Sequence, residues 1–477
     1  MTAFLAIVKL TCRSAVRSHI FRLLLILLLL GIFLLPFTLL GDGTPKGEVQ
    51  IFLQYSLGFA GFILCLSSVW LACSEVSSDV ESAHVHMIVV KPVRRSVVLL
   101  GKYTGVVAIH LALLLIAAVA VYVFLSFRLS SSEISEQERL MLNEQVLTAR
   151  ALYRPVRPDF DALAQQEFDR RVAEAKSHGQ DVLQDMDAQS RLDAFQEIRR
   201  ELVATRGLIT EGESIFWQFE GLPKELTDDD VVFLRYTIYV NRYYVQDQNS
   251  VRGHWVFAAN YLRPDDAGGE TVVSDLMALP EDDFLTAAQN EIAVPIRNTY
   301  FVFDGKAEVG FLNTDTKTGE LNFEEGNGPF LLIRETGFFS NYCRAVLVLA
   351  IGILSITLLA SAVAACMSLP IAIFFSAAYM LVGALANYMV TSLPTIVDFQ
   401  AEVTGTFGYR FGDLMLNLIV PLQDFFVTGH LANGELVSFQ FIGILFAKDF
   451  VLRVLPVFLL GAWIYTRREL ALVAKRG

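Results

Sequence analysis

Charged residues are scarce in this chain, at 18% of its 477 residues, where soluble proteins carry about a quarter. Cysteines are also few, and no Cys-x-x-Cys or Cys/His spacing joins them. We therefore expect neither a disulfide scaffold nor a metal site. The phosphate-binding loop of nucleotide-hydrolysing proteins is missing too, because Gly101-Lys102 lacks the upstream glycine and is followed by Tyr103.

In place of charge the chain has a large apolar fraction, 54% of its residues, much of it in long runs. Six runs reach or approach the ~20 residues that a helix needs to cross a membrane. They cover residues 23–40, 51–73, 97–127, 345–367, 369–390 and 441–465. A shorter run at 414–427 contains Pro421 and Asp424, which favours a re-entrant segment buried against protein. We predict an α-helical polytopic membrane protein with six spans plus this re-entrant segment.

The charge is unevenly distributed along the chain. Residues 127–340 hold 38 acidic and 21 basic residues, a net charge of −17, whereas the remainder holds 12 and 17, a net charge of +5. An acidic, less apolar stretch of this length between apolar runs predicts an inserted, water-exposed domain. An acidic domain without a basic stripe argues against a nucleic-acid partner.

The inserted domain changes its hydrophobic period part-way along. In residues 127–210 the apolar residues recur at helical spacing, and we expect three helices there. In residues 211–340 the period becomes two, as in 232–240, with frequent turn signals, which predicts a β-sandwich. The expected organisation is therefore 1–126 with spans 1–3, a 127–340 α+β domain, and 341–477 with spans 4–6.

Basic residues next to the apolar runs predict the orientation. They cluster before the first run, between the second and third, and after the last. By the positive-inside rule these places are cytoplasmic, so both termini are cytoplasmic and the inserted domain is extracytoplasmic. We expect a multi-pass protein of the plasma (bacterial inner) membrane. The basic, amphipathic stretch 4–21 is typical of a helix lying on the membrane surface, ahead of a retained first span.

The loop between the second and third runs, residues 74–96, is the most informative segment. Ser74 is a candidate helix N-cap with three acidic residues after it, and Pro92 predicts where that helix ends. Arg94 and Arg95 then open the helix of the third run. We therefore predict a short amphipathic helix at the cytoplasmic surface. The alternative is that its charges are simply a solvated helix face.

This loop resembles the corresponding loop in permease subunits of type-2 ABC exporters. The resemblance rests on the acidic helix start, Lys-Pro-Val-Arg-Arg at 91–95 and Leu-Leu-Gly-Lys at 99–102. The ending Arg-Arg-Glu-Leu at 467–470 and the re-entrant region are similar as well. Ser82 and Ala83 stand where the family often has Gly-Thr. The resemblance covers residues 1–126 and 338–477 and leaves out the inserted domain.

The resemblance implies a transmembrane subunit that is not itself an enzyme and pairs with a separate ATPase. ATP and magnesium would then bind to that ATPase, and this chain would hold no cofactor. The other implied partners are membrane lipids and a second permease, either identical or homologous. The loop would be the coupling helix that docks in a groove of the ATPase. The residues assigned to coupling are Glu75, Asp79, Glu81, Pro92, Arg95, Gly101 and Lys102.

Three functions fit the sequence. The first is ATP-driven export of a lipid, glycan or other amphipathic substrate. The second is ATP-driven mechanotransmission without transport, and the third is a membrane-anchored extracytoplasmic binding protein. Aromatic residues in the inserted domain are possible ligand-binding platforms or simply core, namely Trp217, Tyr243, Tyr244 and Trp255. His110, inside the third run, is either a functional group or a satisfied interhelical donor.

Overall fold

The computed structural model describes residues 2–38, 43–81, 94–131, 134–177, 188–224, 226, 231–240, 250–264, 270–294, 302, 304–316, 320–324, 326–400 and 419–467. They form two compact units. One comprises Met1–Ala149 and Thr336–Gly477, and the other comprises Arg150–Glu335. We call them the helical unit and the β unit.

The helical unit is built from helices that occur both before and after the β unit in the chain. Those before it are α1 (Thr2–Arg17), α2 (His19–Thr38), α3 (Pro45–Glu81), α4 (Arg95–Ser131) and α5 (Glu136–Gln145). Those after it begin with α8 (Phe338–Cys366), α9 (Leu369–Gln400), a 3-10 helix (Leu422–Phe425) and α10 (Thr428–Ala432). The last three are α11 (Phe439–Leu445), a π-helix (Phe446–Val454) and α12 (Leu455–Arg467).

Four of these helices are long and apolar enough to cross a membrane. They are Pro45–Ser77, Arg95–Ser130, Phe338–Cys366 and Leu369–Ala386. α1 and α2 meet at an angle of 71°, and this bent pair makes a fifth candidate if it is counted as one span. Length and composition are therefore compatible with a membrane-embedded helical part, as the apolar runs predicted.

The last predicted span, 441–465, forms three helical segments in series: α11, the π-helix and α12. The π-helix contains Lys448, Asp449 and Arg453, which the sequence analysis did not weigh. Asp449 is 2% exposed, and its Oδ1 accepts a hydrogen bond from Arg453 Nη1 at 2.6 Å. An aspartate and an arginine four residues apart lie on one face of a helix, which is why both charges are held together inside the unit.

The segment predicted to be re-entrant is described from residue 419 onwards, and its residues 414–418 lie outside the described part. The 3-10 helix buries Leu422 and Phe425, the latter only 1% exposed, and α10 buries Thr428, Leu431 and Ala432. Glycines make room for this segment: a Cβ on Gly352 would lie 2.9 Å from Phe425 Cβ, and a Cβ on Gly383 2.7 Å from the Val420 oxygen. Irregular backbone thus packs against helices, as expected for non-helical chain at membrane depth.

The described residues of the β unit form helices α6 (Phe160–Ser177) and α7 (Ala188–Thr205) and twelve strands. The strands are β1 (Thr148–Tyr153), β2 (Leu208–Thr210), β3 (Ser214–Glu220), β4 (Val232–Thr237), β5 (Tyr239–Val240), β6 (Ser250–Pro264), β7 (Glu270–Ala278), β8 (Asp282–Leu285), β9 (Gln289–Val294), β10 (Lys306–Asn313), β11 (Glu320–Asn322) and β12 (Phe330–Gly337). They form a four-stranded sheet β1-β12-β4-β9, a five-stranded sheet β3-β10-β6-β7 with β8 beside β6, and a three-stranded sheet β2-β11-β5.

One hydrophobic core fills the β unit, with buried residues from all three sheets. Alternation along β3 shows why: Trp217 and Phe219 point inward, while Phe216 and Gln218 are exposed. The prediction of helices followed by a β-sandwich fits this arrangement. One detail was wrong, because residues 148–153 were expected to be helical and instead form β1 in the four-stranded sheet.

Candidate functional site

The candidate site is the base of the predicted coupling loop, where α3 ends and α4 begins. Residues 82–93, including Pro92, lie outside the described residues. α3 runs without a break through Ser74 to Glu81, so the expected N-cap at Ser74 is wrong. Only the backbone of Asp79 and Glu81 is described, and it is helical. α4 begins at Arg95, as predicted.

Lys102 fixes the two sides of the loop base to each other. It is 7% exposed, and its Nζ donates a hydrogen bond to the backbone oxygen of Glu75. A buried ammonium group is costly unless hydrogen bonds replace its lost hydration. This contact brings two of the predicted coupling residues together, through the backbone oxygen of Glu75.

Each side of the loop base also bonds to a helix from the second half of the chain. On the α3 side, Ser77 Oγ donates to the Ala364 oxygen of α8 at 3.5 Å, and Cys73 Sγ lies 3.8 Å from Ser376 Oγ of α9. On the α4 side, Arg95 Nη1 donates to the Thr466 oxygen of α12 at 3.3 Å. The loop is therefore anchored at both ends on separate helices.

The N-terminal helix α1 packs closely on α4 through two glycines one helical turn apart. A Cβ on Gly101 would lie 2.8 Å from Ile7 Cγ2, and a Cβ on Gly105 would lie 2.7 Å from Thr11 Cβ. Cys12 Sγ also approaches the Gly105 oxygen at 3.5 Å. This is the small-xxx-small packing that lets two helix backbones approach within a membrane. Gly101, predicted from the loop pattern, thus serves a contact that the pattern did not reveal.

Comparison of this chain with protein families, curated proteins and solved structures finds no match. The contacts above, together with the chemistry of the residues, therefore carry the functional argument.

His110 lies in the interior of the helical unit at 0% exposure. Its Nδ1 is 2.8 Å from the Val106 oxygen, which can only accept, so Nδ1 carries the proton. Its Nε2 is 3.1 Å from Ser67 Oγ, on α3. Both ring nitrogens have a hydrogen-bond partner. This supports the interpretation of His110 as a structural side chain that joins two helices, rather than as a group that acts on a substrate.

The aromatic residues proposed as a ligand platform are divided by the structure. Trp255 is fully buried in the core of the β unit, and Trp217 lies beside it with ring centroids 6.0 Å apart. Tyr243 and Tyr244 fall outside the described residues. Trp217 reaches the wall of a cavity, whereas Trp255 packs behind it, so its position is that of a core residue.

The Asp449–Arg453 pair was not among the residues predicted from the sequence, although Asp449 is buried and Arg453 is only 11% exposed. The signal was present, since two opposite charges four residues apart occurred within an apolar run. Tyr379 of α9 adds a polar contact nearby in the fold, its Oη accepting from the Val420 N–H at 2.9 Å. A π-helical stretch that holds charged groups inside a helical bundle is a common feature of functional segments.

Proposed function

We propose that this chain is the transmembrane permease subunit of an ATP-driven, ABC-type exporter. The observation that carries the proposal is the loop base: the chain enters and leaves the loop through residues bonded to each other and to α8, α9 and α12. A force applied to such a loop would reach several helices at once. Coupling of an ATPase to a membrane channel requires that property.

In this proposal the six apolar runs cross the plasma membrane with both termini in the cytoplasm. The 441–465 run is the sixth span despite its buried charged pair. The acidic residues at the end of α3 would face basic groups on a separate ATPase, which binds ATP and magnesium. Two permeases, identical or homologous, would form the path for a lipid, glycan or other amphipathic substrate. The basic clusters beside the apolar runs support this orientation.

A second candidate is ATP-driven mechanotransmission without transport. One observation favours it: the chain passes from β12, ending at Gly337, into α8, beginning at Phe338, without an intervening residue. A direct strand-to-helix connection transmits displacement better than a flexible linker does. Both candidates share the coupling loop and differ in whether a substrate crosses the membrane.

The test removes the three acidic charges at the end of α3 together, as Glu75→Ala, Asp79→Ala and Glu81→Ala. We expect the ATPase that co-purifies with the wild-type chain to be lost or its ATP turnover to become independent of the permease. A matched control removes three exposed acidic residues of the β unit, 281–283, and should leave both measurements unchanged. Wild-type co-purification and turnover in the loop variant, or no ATPase with the wild-type chain, would contradict the proposal.

A vesicle assay separates the two candidates. The complex is reconstituted with a fluorescent phospholipid, and ATP-dependent movement of the label between leaflets is measured. Movement that stops in the loop variant supports export of a lipid. ATP turnover that responds to the loop variant with no movement of lipid or glycan probes favours mechanotransmission.

A further inference from the structure

A cavity of about 250 Å³ opens in the β unit, at a place where several chain segments meet. Its lining comes from the residues after β1, the end of α7 and the turn into β2, the start of β3, β11 with the residues after it, and the start of β12. Its volume lies just below the ~300–1,000 Å³ typical of sites for drug-sized ligands. It therefore suits a small headgroup rather than a long chain.

The walls of the cavity are held by backbone contacts. Val156 N–H donates to the Gln218 oxygen at 2.7 Å, which fixes the segment after β1 against β3. On the opposite side, Phe323 N–H donates to the Gly207 oxygen at 2.9 Å, and a Cβ on Gly207 would lie 2.2 Å from the Phe323 oxygen. Only glycine permits this close approach. The cavity is thus part of the folded β unit and needs no ligand to form.

The charge of the cavity is opposite to that of its surroundings. Three arginines line it, Arg154, Arg157 and Arg206, against one acidic residue, Glu324. Arginine keeps its positive charge at any physiological pH, whatever bonds it forms. Arg206 Nη2 donates to the Val156 oxygen at 3.4 Å, and its guanidinium lies over the Phe160 ring at 5.4 Å. The positive charge of the three arginines attracts an anion, inside a stretch of chain with a net charge of −17.

Aromatic rings supply the rest of the lining. Trp217, Phe323 and Phe330 all border the cavity, and the rings of Trp217 and Phe323 contact each other at 5.0 Å between centroids. The Arg154 guanidinium lies over the Phe330 ring at 5.7 Å, which holds that side chain beside the cavity. The site therefore offers positive charge next to flat, apolar surface.

We propose that this cavity binds the phosphate group of a phosphate ester whose organic part is small and carries a ring, such as a phosphorylated sugar. Phosphate fits better than carboxylate because it brings more oxygens and more negative charge to the positive lining, and because guanidinium groups pair with phosphate in a bidentate manner. The apolar face of a sugar ring would contact the aromatic lining, where Phe330 is half-buried and Trp217 is 6% exposed. The inference holds whether or not the chain works with an ATPase.

The test measures tryptophan fluorescence of the detergent-solubilised, full-length chain during titration with glucose 6-phosphate. Because Trp217 borders the cavity, we expect a saturable change in emission that weakens as sodium chloride is added. Glucose should give no change, and inorganic phosphate should bind more weakly. Vesicles of phosphatidylglycerol, compared with phosphatidylcholine vesicles, show whether a lipid headgroup supplies the same chemistry.

Variants decide whether the cavity is the site. Arg154→Gln with Arg157→Gln should weaken binding of glucose 6-phosphate at least tenfold, because each charged hydrogen bond is lost. The matched control, Arg170→Gln with Arg252→Gln, removes the same charge from exposed side chains elsewhere in the β unit and should bind as wild type. Equal binding of glucose and glucose 6-phosphate, equal loss in both double variants, or no saturable change with any probe would overturn the inference.

Discussion

Glu291 lies between two buried arginines in the β unit, and its loss offers the sharpest test of the core described above. Its Oε1 accepts a hydrogen bond from Arg150 Nη1 at 2.5 Å, and its Oε2 accepts one from Arg235 Nε at 3.0 Å. The three side chains are 8%, 1% and 6% exposed, in that order. Glu291→Gln keeps the shape of the side chain and removes its charge, so two buried guanidinium groups lose the carboxylate that they share.

The expected cost follows from burial. Removing one partner of a buried ion pair lowers the free energy of unfolding by ~3–5 kcal/mol, because the remaining charge stays buried away from water. The matched control is Glu220→Gln, whose carboxylate is 54% exposed and pairs with Lys306 at 2.8 Å. A surface pair of that kind contributes ~0–1 kcal/mol. The same chemical change should therefore have very different effects at the two positions.

Hydrogen exchange measures this difference within the β unit without requiring two-state unfolding of the whole chain. Each ~1.4 kcal/mol is a factor of ten, so protection of the β4 and β9 amides should fall roughly a hundredfold to a few thousandfold in Glu291→Gln. Replacing Glu291, Arg150 and Arg235 together by apolar residues of similar size should restore much of the protection. A loss no greater than that of Glu220→Gln would refute the reasoning.

Two further substitutions test the helical unit by thermal unfolding of the solubilised protein. Gly105→Leu should lower the free energy of unfolding by ~1–3 kcal/mol through overpacking, because a Cβ there would lie 2.7 Å from Thr11 Cβ. In the control Gly443→Leu, no neighbouring atom lies within 4 Å of the added Cβ, and stability should not change. Equal effects of the two substitutions would contradict the α1–α4 contact. Asp449→Asn should lower the free energy of unfolding by up to ~3–5 kcal/mol, because it leaves Arg453, whose side chain is only 11% exposed, without its carboxylate. Adding Arg453→Gln should recover part of the loss, and no recovery would show that the pair is not the cause.

The helical part was largely predictable because apolar runs of spanning length have few alternative folds. Its boundaries were less so. The second run was expected to stop near Cys73, since a serine and acidic residues follow, yet α3 continues to Glu81. No glycine or proline interrupts residues 74–81, and Val76 and Ser77 are buried against the unit. Tertiary packing thus extended the helix beyond the end of its apolar composition.

The strand β1 is a place where local sequence predicted the wrong type of secondary structure. Residues 148–153 have a composition that suits a helix, and they lie within the stretch 127–210 that was predicted to be helical. Their place beside β12 in the four-stranded sheet decides the conformation instead. Arg150 stabilises the strand in this place, because it forms a buried ion pair with Glu291, 141 positions further along the chain. Propensity over a short window cannot anticipate a partner that distant.

The candidate sites were predictable to different degrees. The loop base was found from sequence because its residues are contiguous in a recognisable pattern. The cavity was not, because its arginines come from residues 154–157 and 206, which are joined only by the fold. The spacing of Gly101 and Gly105 was visible as a small-xxx-small pattern, but its partner Thr11 on α1 could be identified only from the packed helices.

The anchoring of the loop limits how a partner could act on the helical unit. If one side of the loop were not bonded to other helices, a force applied by a partner would bend the loop and would not displace the helices. Here Lys102 joins α4 to the Glu75 backbone, Ser77 joins α3 to α8, and Arg95 joins α4 to α12. Packed interfaces have few alternative arrangements, so displacement of the loop must shift these helices together or break the contacts. If the loop couples an ATPase as proposed, the anchored helices would move as rigid bodies. A single substitution at Lys102 should then reduce the dependence of ATP turnover on this chain more than a substitution at the exposed Arg94.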